Sequence, residues 1–165
     1  MWQTQCFSCT EVLNRVSIRI FAREHITRRH YPRSGYEPIN EGLSMFLEDV
    51  MPSDLLFSTI IDELRSGLTV PETQRQPDSL IRYVYFYRFG FIIGSYPNRQ
   101  GGSVETDMVK IVSNTTECQV CHRRWPSEVV TSYPCKTPVG YEEDLNPVLY
   151  EIEACTDETV RRLSR

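Results

Sequence analysis

Cys6, Cys9, His25 and His30 are spaced as Cys-x2-Cys-x15-His-x4-His. Two thiols on a short knuckle and two imidazoles on a following helix are donors that suit a tetrahedral zinc ion, with bonds of about 2.0–2.3 Å. The distribution of the rare donors points the same way. The chain has 6 Cys and 3 His, and none falls between His30 and Cys118. Cys118, Cys121, His122, Cys135 and Cys155 form the second group. Cys118, Cys121, Cys135 and Cys155 make a four-thiolate set, with His122 as the alternative fourth ligand to Cys155. A third pairing joins the two Cys-x2-Cys knuckles around one ion and leaves His25 and His30 idle. The plain alternative is that these thiols and imidazoles pack without metal. A site closed by four protein ligands has no open position, so its role is structural. Two zinc ions per chain are expected. Oxidation of the thiolates would release the metal, the four-thiolate site before the mixed one, so the fold is expected to be redox-sensitive.

These donors need elements to position them. Val12, Val16 and Ile20 recur at helical spacing, which predicts a helix from about Asn14 to His30, ending by Tyr31-Pro32. On that helix Arg15, Arg19 and Arg23 would form one basic stripe, extended by Arg28, Arg29 and Arg33. Asn40 is placed to cap a helix from Glu41 to about Val50, with Leu43, Phe46, Leu47 and Val50 inward. Ser53 would cap another, carrying Leu56, Phe57, Ile60, Ile61 and Leu64, with Gly67 just past its end. Residues 68–79 read as a polar connector.

From Leu80 to Gly94 the period changes to two, with Tyr83, Tyr85, Tyr87 and Phe89 on one side. Pro97 to Gly102 reads as a turn and Val104 to Val112 as the returning strand of a hairpin. Glu128–Ser132 and Val148–Ala154 read as further strands, and Asp157–Arg165 as a short helix. The fold class expected is α+β, a small helix-plus-antiparallel-sheet core with a zinc module near each terminus. The divisions are 1–36 for the Cys2His2 module, 37–115 for the core and 116–165 for the cysteine-rich module.

At 165 residues the chain can bury a core, and 40% hydrophobic with 24% charged residues is ordinary for a globular protein. No apolar run approaches a membrane span, and the first residues lack the basic and apolar regions of a signal peptide. A reducing cytoplasmic or nuclear location is expected, where cysteines hold metal more often than they pair. The net charge of −4 is unevenly laid out: positive over residues 1–36, strongly negative over 37–80, positive again over 81–136 and negative in the tail. The basic stripe would suit phosphate contact, or pairing with the acidic segment. The tyrosines would suit base stacking or, more ordinarily, the core. Every histidine sits beside a thiol pair, and neither a glycine-rich phosphate loop nor a serine elbow is present. An enzyme is not expected.

The run Cys118, Cys121, Arg123 or Arg124, Trp125 and Pro126, followed by Cys135, resembles the CxxCxRxWP finger of the cysteine-rich accessory proteins of plant RNA viruses, carlavirus nucleic-acid-binding proteins among them. Two zinc sites in so short a chain are also similar to the small accessory proteins of sobemoviruses. The resemblance covers about twenty residues. It implies suppression of host RNA silencing and help with viral spread, with zinc as the cofactor and a host protein or RNA as the partner; a homodimer is compatible with it. Ser113–Glu117 stands where the carlavirus pattern carries a dense arginine block. The alternatives are a cellular nucleic-acid-binding zinc-finger regulator and a secreted factor held by disulfides.

Overall fold

The alternation beginning at Ile81 forms the long strand that the rest of the fold is laid against. The computed structural model describes residues 6–30, 44–47, 54–98 and 100–138. In chain order these are α1 (Phe7–Asn14), β1 (Ser17–Ile18), α2 (Ile20–His30), β2 (Met45–Phe46), α3 (Asp54–Ser66), β3 (Glu72–Arg75), β4 (Ile81–Arg88), β5 (Gly94–Pro97), β6 (Ser103–Thr106), β7 (Met108–Glu117) and β8 (Arg124–Pro134). The class is α+β. Five strands make one sheet in the order β1-β8-β7-β4-β3, and three make a second in the order β2-β5-β6.

Both faces of the larger sheet are covered. Tyr83, Tyr85, Val109, Ile111 and Val129 form one core with Ala22 and Ile26 of α2 and Leu56, Phe57, Ile60 and Leu64 of α3. Each fully buried aliphatic or aromatic side chain of this kind contributes roughly 1.5–3 kcal/mol. Val84, Phe86, Met108, Val112, Tyr133 and Cys135 form a second cluster. Tyr83 and Tyr85 are therefore core residues, and no open aromatic platform for bases exists on this strand.

Helix α3 follows the apolar stripe read from the sequence, and Gly67 takes the left-handed conformation just past its end, with φ of 65°. The expected cap, Ser53, lies outside the described residues. Other elements differ from expectation. The helix expected over Asn14–His30 is broken in two. Arg15 and Val16 close α1 with bonds to Val12 and Leu13 three residues back, and Ser17 and Ile18 then pair in parallel with Glu128 and Val129 of β8. A free strand edge offers Ile18 both hydrogen bonds and a buried site, which outweighs a modest helix preference.

Of the helix expected over Glu41–Val50, Met45 and Phe46 instead form strand β2 against Ser95 and Gly94. Residues 41–43 and 48–50 lie outside the described residues. The connector 68–79 contains β3, which pairs with β4. The single hairpin expected after Leu80 becomes two pairings. β4 ends at Arg88 and pairs with β7, while β5 and β6 form their own hairpin around the Asn98–Gly102 turn. The expected strand at Glu128–Ser132 is the middle of the longer β8. The strand at Val148–Ala154 and the helix at Asp157–Arg165 lie outside the described residues. No helix among the described residues is long and apolar enough to cross a membrane.

Candidate metal centre

The β7–β8 hairpin ends in the second knuckle. Cys118 donates its main-chain N–H to Arg123 O at 2.8 Å, and His122 donates to Cys118 O at 2.9 Å. The first knuckle opens α1: Cys6 is its N-cap, and Cys9 N–H donates to Cys6 O at 3.0 Å. The parallel pairing of β1 with β8 sets the two knuckles side by side, since it carries the start of the chain along the same strand that leaves the hairpin tip.

The four sulfurs meet there. Cys6 Sγ lies 3.3 Å from Cys9 Sγ and 3.7 Å from Cys118 Sγ, and Cys9 Sγ lies 3.3 Å from Cys121 Sγ. All four Sγ atoms are within 4.8 Å of one another, the one such group of three or more donors among the described residues. A tetrahedral ion with metal–sulfur bonds of about 2.3 Å holds its sulfurs about 3.8 Å apart, close to this arrangement. The separations are far longer than a disulfide bond of about 2.05 Å, and all described cysteines are free thiols. Leu13 and Trp125 pack against Cys9 and Cys118, with Val12 beside them, so the cluster has an apolar wall.

Electrostatically the four thiols are not alike. The main-chain N–H groups of Cys121 and Val120 hold the Cys118 thiol down at about 6. The Cys9 side chain and N–H lower Cys6. Burial, reinforced by the sulfurs of Cys121 and Cys6, pushes Cys9 up to about 12. Cys118 is thus held low and Cys6 is lowered, while Cys9 resists ionising beside them. A divalent cation resolves that conflict, because metal binding displaces the remaining protons. The donor set fits a soft or borderline ion, and every coordination position is taken by sulfur.

The structure therefore sorts the sequence-predicted ligands differently. Cys6 and Cys9 join Cys118 and Cys121, as in the shared-knuckle pairing, and not His25 and His30. The reason is topological: α2 leaves β1 on the far side of the break at Ser17–Ile18 and carries its histidines away from the first knuckle. Cys135 does not join Cys118 and Cys121 but is buried with Met108 and Tyr133. His122 is no ligand here; it takes a left-handed φ of 63° that closes the knuckle turn, and its side chain is exposed near Glu117. Cys155 lies outside the described residues. Residues 1–36 and 116–165 each contribute two of the site's cysteines and one of the paired strands β1 and β8. The expected order of oxidation loses its basis too, because Cys6 and Cys9 belong to the four-thiolate group.

The arginine stripe is likewise dispersed. Arg15 caps the end of α1, Arg19 pairs with Glu128 at 2.9 Å, and Arg23 donates to Ile18 O and lies 5.0 Å over the Phe57 ring. Arg28 and Arg29 stand near His25 at the end of α2. Reading the donors alone passed over two apolar side chains at the knuckle tips, Phe7 and Val120, which are 84% and 65% exposed. Their place inside each Cys-x2-Cys loop is the signal that marks them. Comparison of the chain with family models, with curated proteins and with solved structures finds no match.

Proposed function

We propose that the protein is a zinc-stapled regulatory protein that acts by binding a host protein, in the manner of the plant-virus silencing suppressors its Cys118–Pro126 segment resembles. The observation that carries this is the four-sulfur centre. Its donors favour zinc, its closed sulfur shell favours a structural role, and it ties the first helix to the hairpin tip. A protein partner is favoured over RNA by two features. Arg19 and Arg23, the middle of the expected phosphate-binding stripe, are engaged within the fold. Phe7 and Val120 meanwhile stand exposed in the two knuckles, and Ile20 and Phe21 on α2, and apolar aromatic anchors suit protein interfaces.

The test is a leaf co-expression assay with a silenced reporter. Wild-type protein restores the reporter, Cys118→Ser does not, and Phe7→Ser with Val120→Ser loses the effect while keeping its zinc. RNA binding that is salt-dependent and abolished by changing Arg15, Arg19 and Arg23 to Glu would favour the RNA reading instead. A reporter that stays silenced with well-expressed wild-type protein sinks the silencing role.

A further inference from the structure

The four-sulfur centre leaves α2 with two histidines whose Nε2 atoms have no hydrogen-bond partner. They lie five residues apart, their ring centroids 6.3 Å from each other and their planes at 68°. His30 is wholly buried and stacks on Tyr133 at a centroid distance of 5.0 Å. Its Nδ1 lies 2.7 Å from the main-chain oxygen of Ser44. A carbonyl oxygen only accepts, so Nδ1 carries the proton and Nε2 presents a bare lone pair. That Nε2 is buried and has no hydrogen-bond partner, and the Nε2 of His25 is in the same condition.

Buried polar atoms are nearly always satisfied, and here two orphaned imidazole nitrogens sit in neighbouring rings on one helix. Metal-ligating histidines show this same arrangement: the far ring nitrogen donates to a backbone carbonyl, fixing the tautomer that leaves the other nitrogen free to coordinate.

We propose that His25 and His30 hold a second divalent ion of the zinc class through their Nε2 atoms, separate from the four-sulfur centre. A centroid separation of 6.3 Å is near the widest span that one ion imposes on two rings, so seating the ion draws them together. No third donor of the described residues is gathered with these two, so solvent would fill the remaining positions. Tyr133, stacked on His30, holds the ring against β8 while this happens.

X-ray absorption at the zinc edge of the wild-type protein, loaded with zinc and dialysed, is the direct test. Two zinc ions per chain are expected, with the outer-shell scattering of imidazole on top of the sulfur signal. Removing His25 and His30 together, each to Gln, should bring the content to one ion and a sulfur-only spectrum. One ion with sulfur alone in the wild type overturns the site, as does full retention of two ions in the double variant. Should that variant fail to fold, the wild-type spectrum still decides. Loss of the sulfur signal with imidazole scattering kept would count against the four-cysteine centre and not against this one, so the two assignments fail separately.

Discussion

Arg65 of α3 donates through Nη2 to the main-chain oxygen of Val16 at 3.0 Å. In an unbroken helix that oxygen would accept from the N–H of Ile20; here a guanidinium takes its place. The bond secures the chain where α1 ends and β1 begins, 49 residues before Arg65.

Replacing Arg65 with Met therefore leaves a buried carbonyl in need of a donor. A hydrogen bond to a charged group is worth about 1.5–3 kcal/mol, and this one is part-exposed, so a loss of about 1–2 kcal/mol is expected. Urea denaturation reads it as a lower midpoint at unchanged slope. A variant as stable as wild type would mean that solvent serves Val16 equally well.

Removal of metal should loosen the molecule unevenly. Chelation, or oxidation of the thiolates by peroxide, frees the first knuckle from the second. Hydrogen exchange should then rise sharply in α1 and β1, while the β4–β7 pairing, seven residue pairs long from Arg82 to Arg88, stays protected. Uniform loss of protection across both regions would show that the centre supports the whole sheet.

Stability should fall on acidification because of His30. Burial holds its folded pKa at about 3, below the ordinary value of 6.5. Between these values the unfolded chain binds the extra proton, so stability decreases as pH drops from about 6.5 towards 3, and the group adds no slope above that window. One such group contributes at most about 1.4 kcal/mol per pH unit. A bound ion on the ring acts with the same sign, since protons compete with it. His30→Gln should flatten the profile; an unchanged slope would assign the acid sensitivity to other groups.

Gly94 of the smaller sheet is packed tightly against its neighbour β2 and against Pro134 of the larger sheet. A Cβ there would run into the carbonyl oxygen of Met45, the Pro134 side chain at 2.5 Å and Phe46 Cα at 3.0 Å. Two of these three neighbours are backbone atoms that cannot turn aside. Gly94→Ala should cost about 1–3 kcal/mol by overpacking and expose β2 to exchange. Thermal melting indistinguishable from wild type would mean that the smaller sheet shifts freely.

Much of the fold was legible where a pattern ran long enough to have a period. The stripe Leu56–Leu64 and the alternation from Ile81 each run over eight residues or more; the first formed the expected helix, and the second a strand that stops at Arg88, short of the expected Gly94. Ser17–Ile18 and Met45–Phe46 are strands of two residues, too short to carry a period, and each was absorbed into a supposed helix. Their conformation comes from partners at Glu128 and Ser95 that local reading does not see. The metal centre followed the same rule. The two Cys-x2-Cys knuckles were plain, but which donors they share depends on β1 finding β8. Two identical spacings were the clue, since paired knuckles commonly build one site between them.

The partnership of Cys6 with Cys118 spans 112 residues, and this has a consequence for the order of events on the ribosome. At about 5–20 residues per second, the early knuckle waits roughly 6–20 s before its counterpart is made. Until then its two thiols travel on a chain whose neighbouring strand β1 also lacks its pairing edge. An interrupted translation product ending before the hairpin tip would carry those thiols unsealed, open to oxidation or to capture by another chain. The closed centre thus records that synthesis has passed Cys121, and a nascent chain cannot form it earlier.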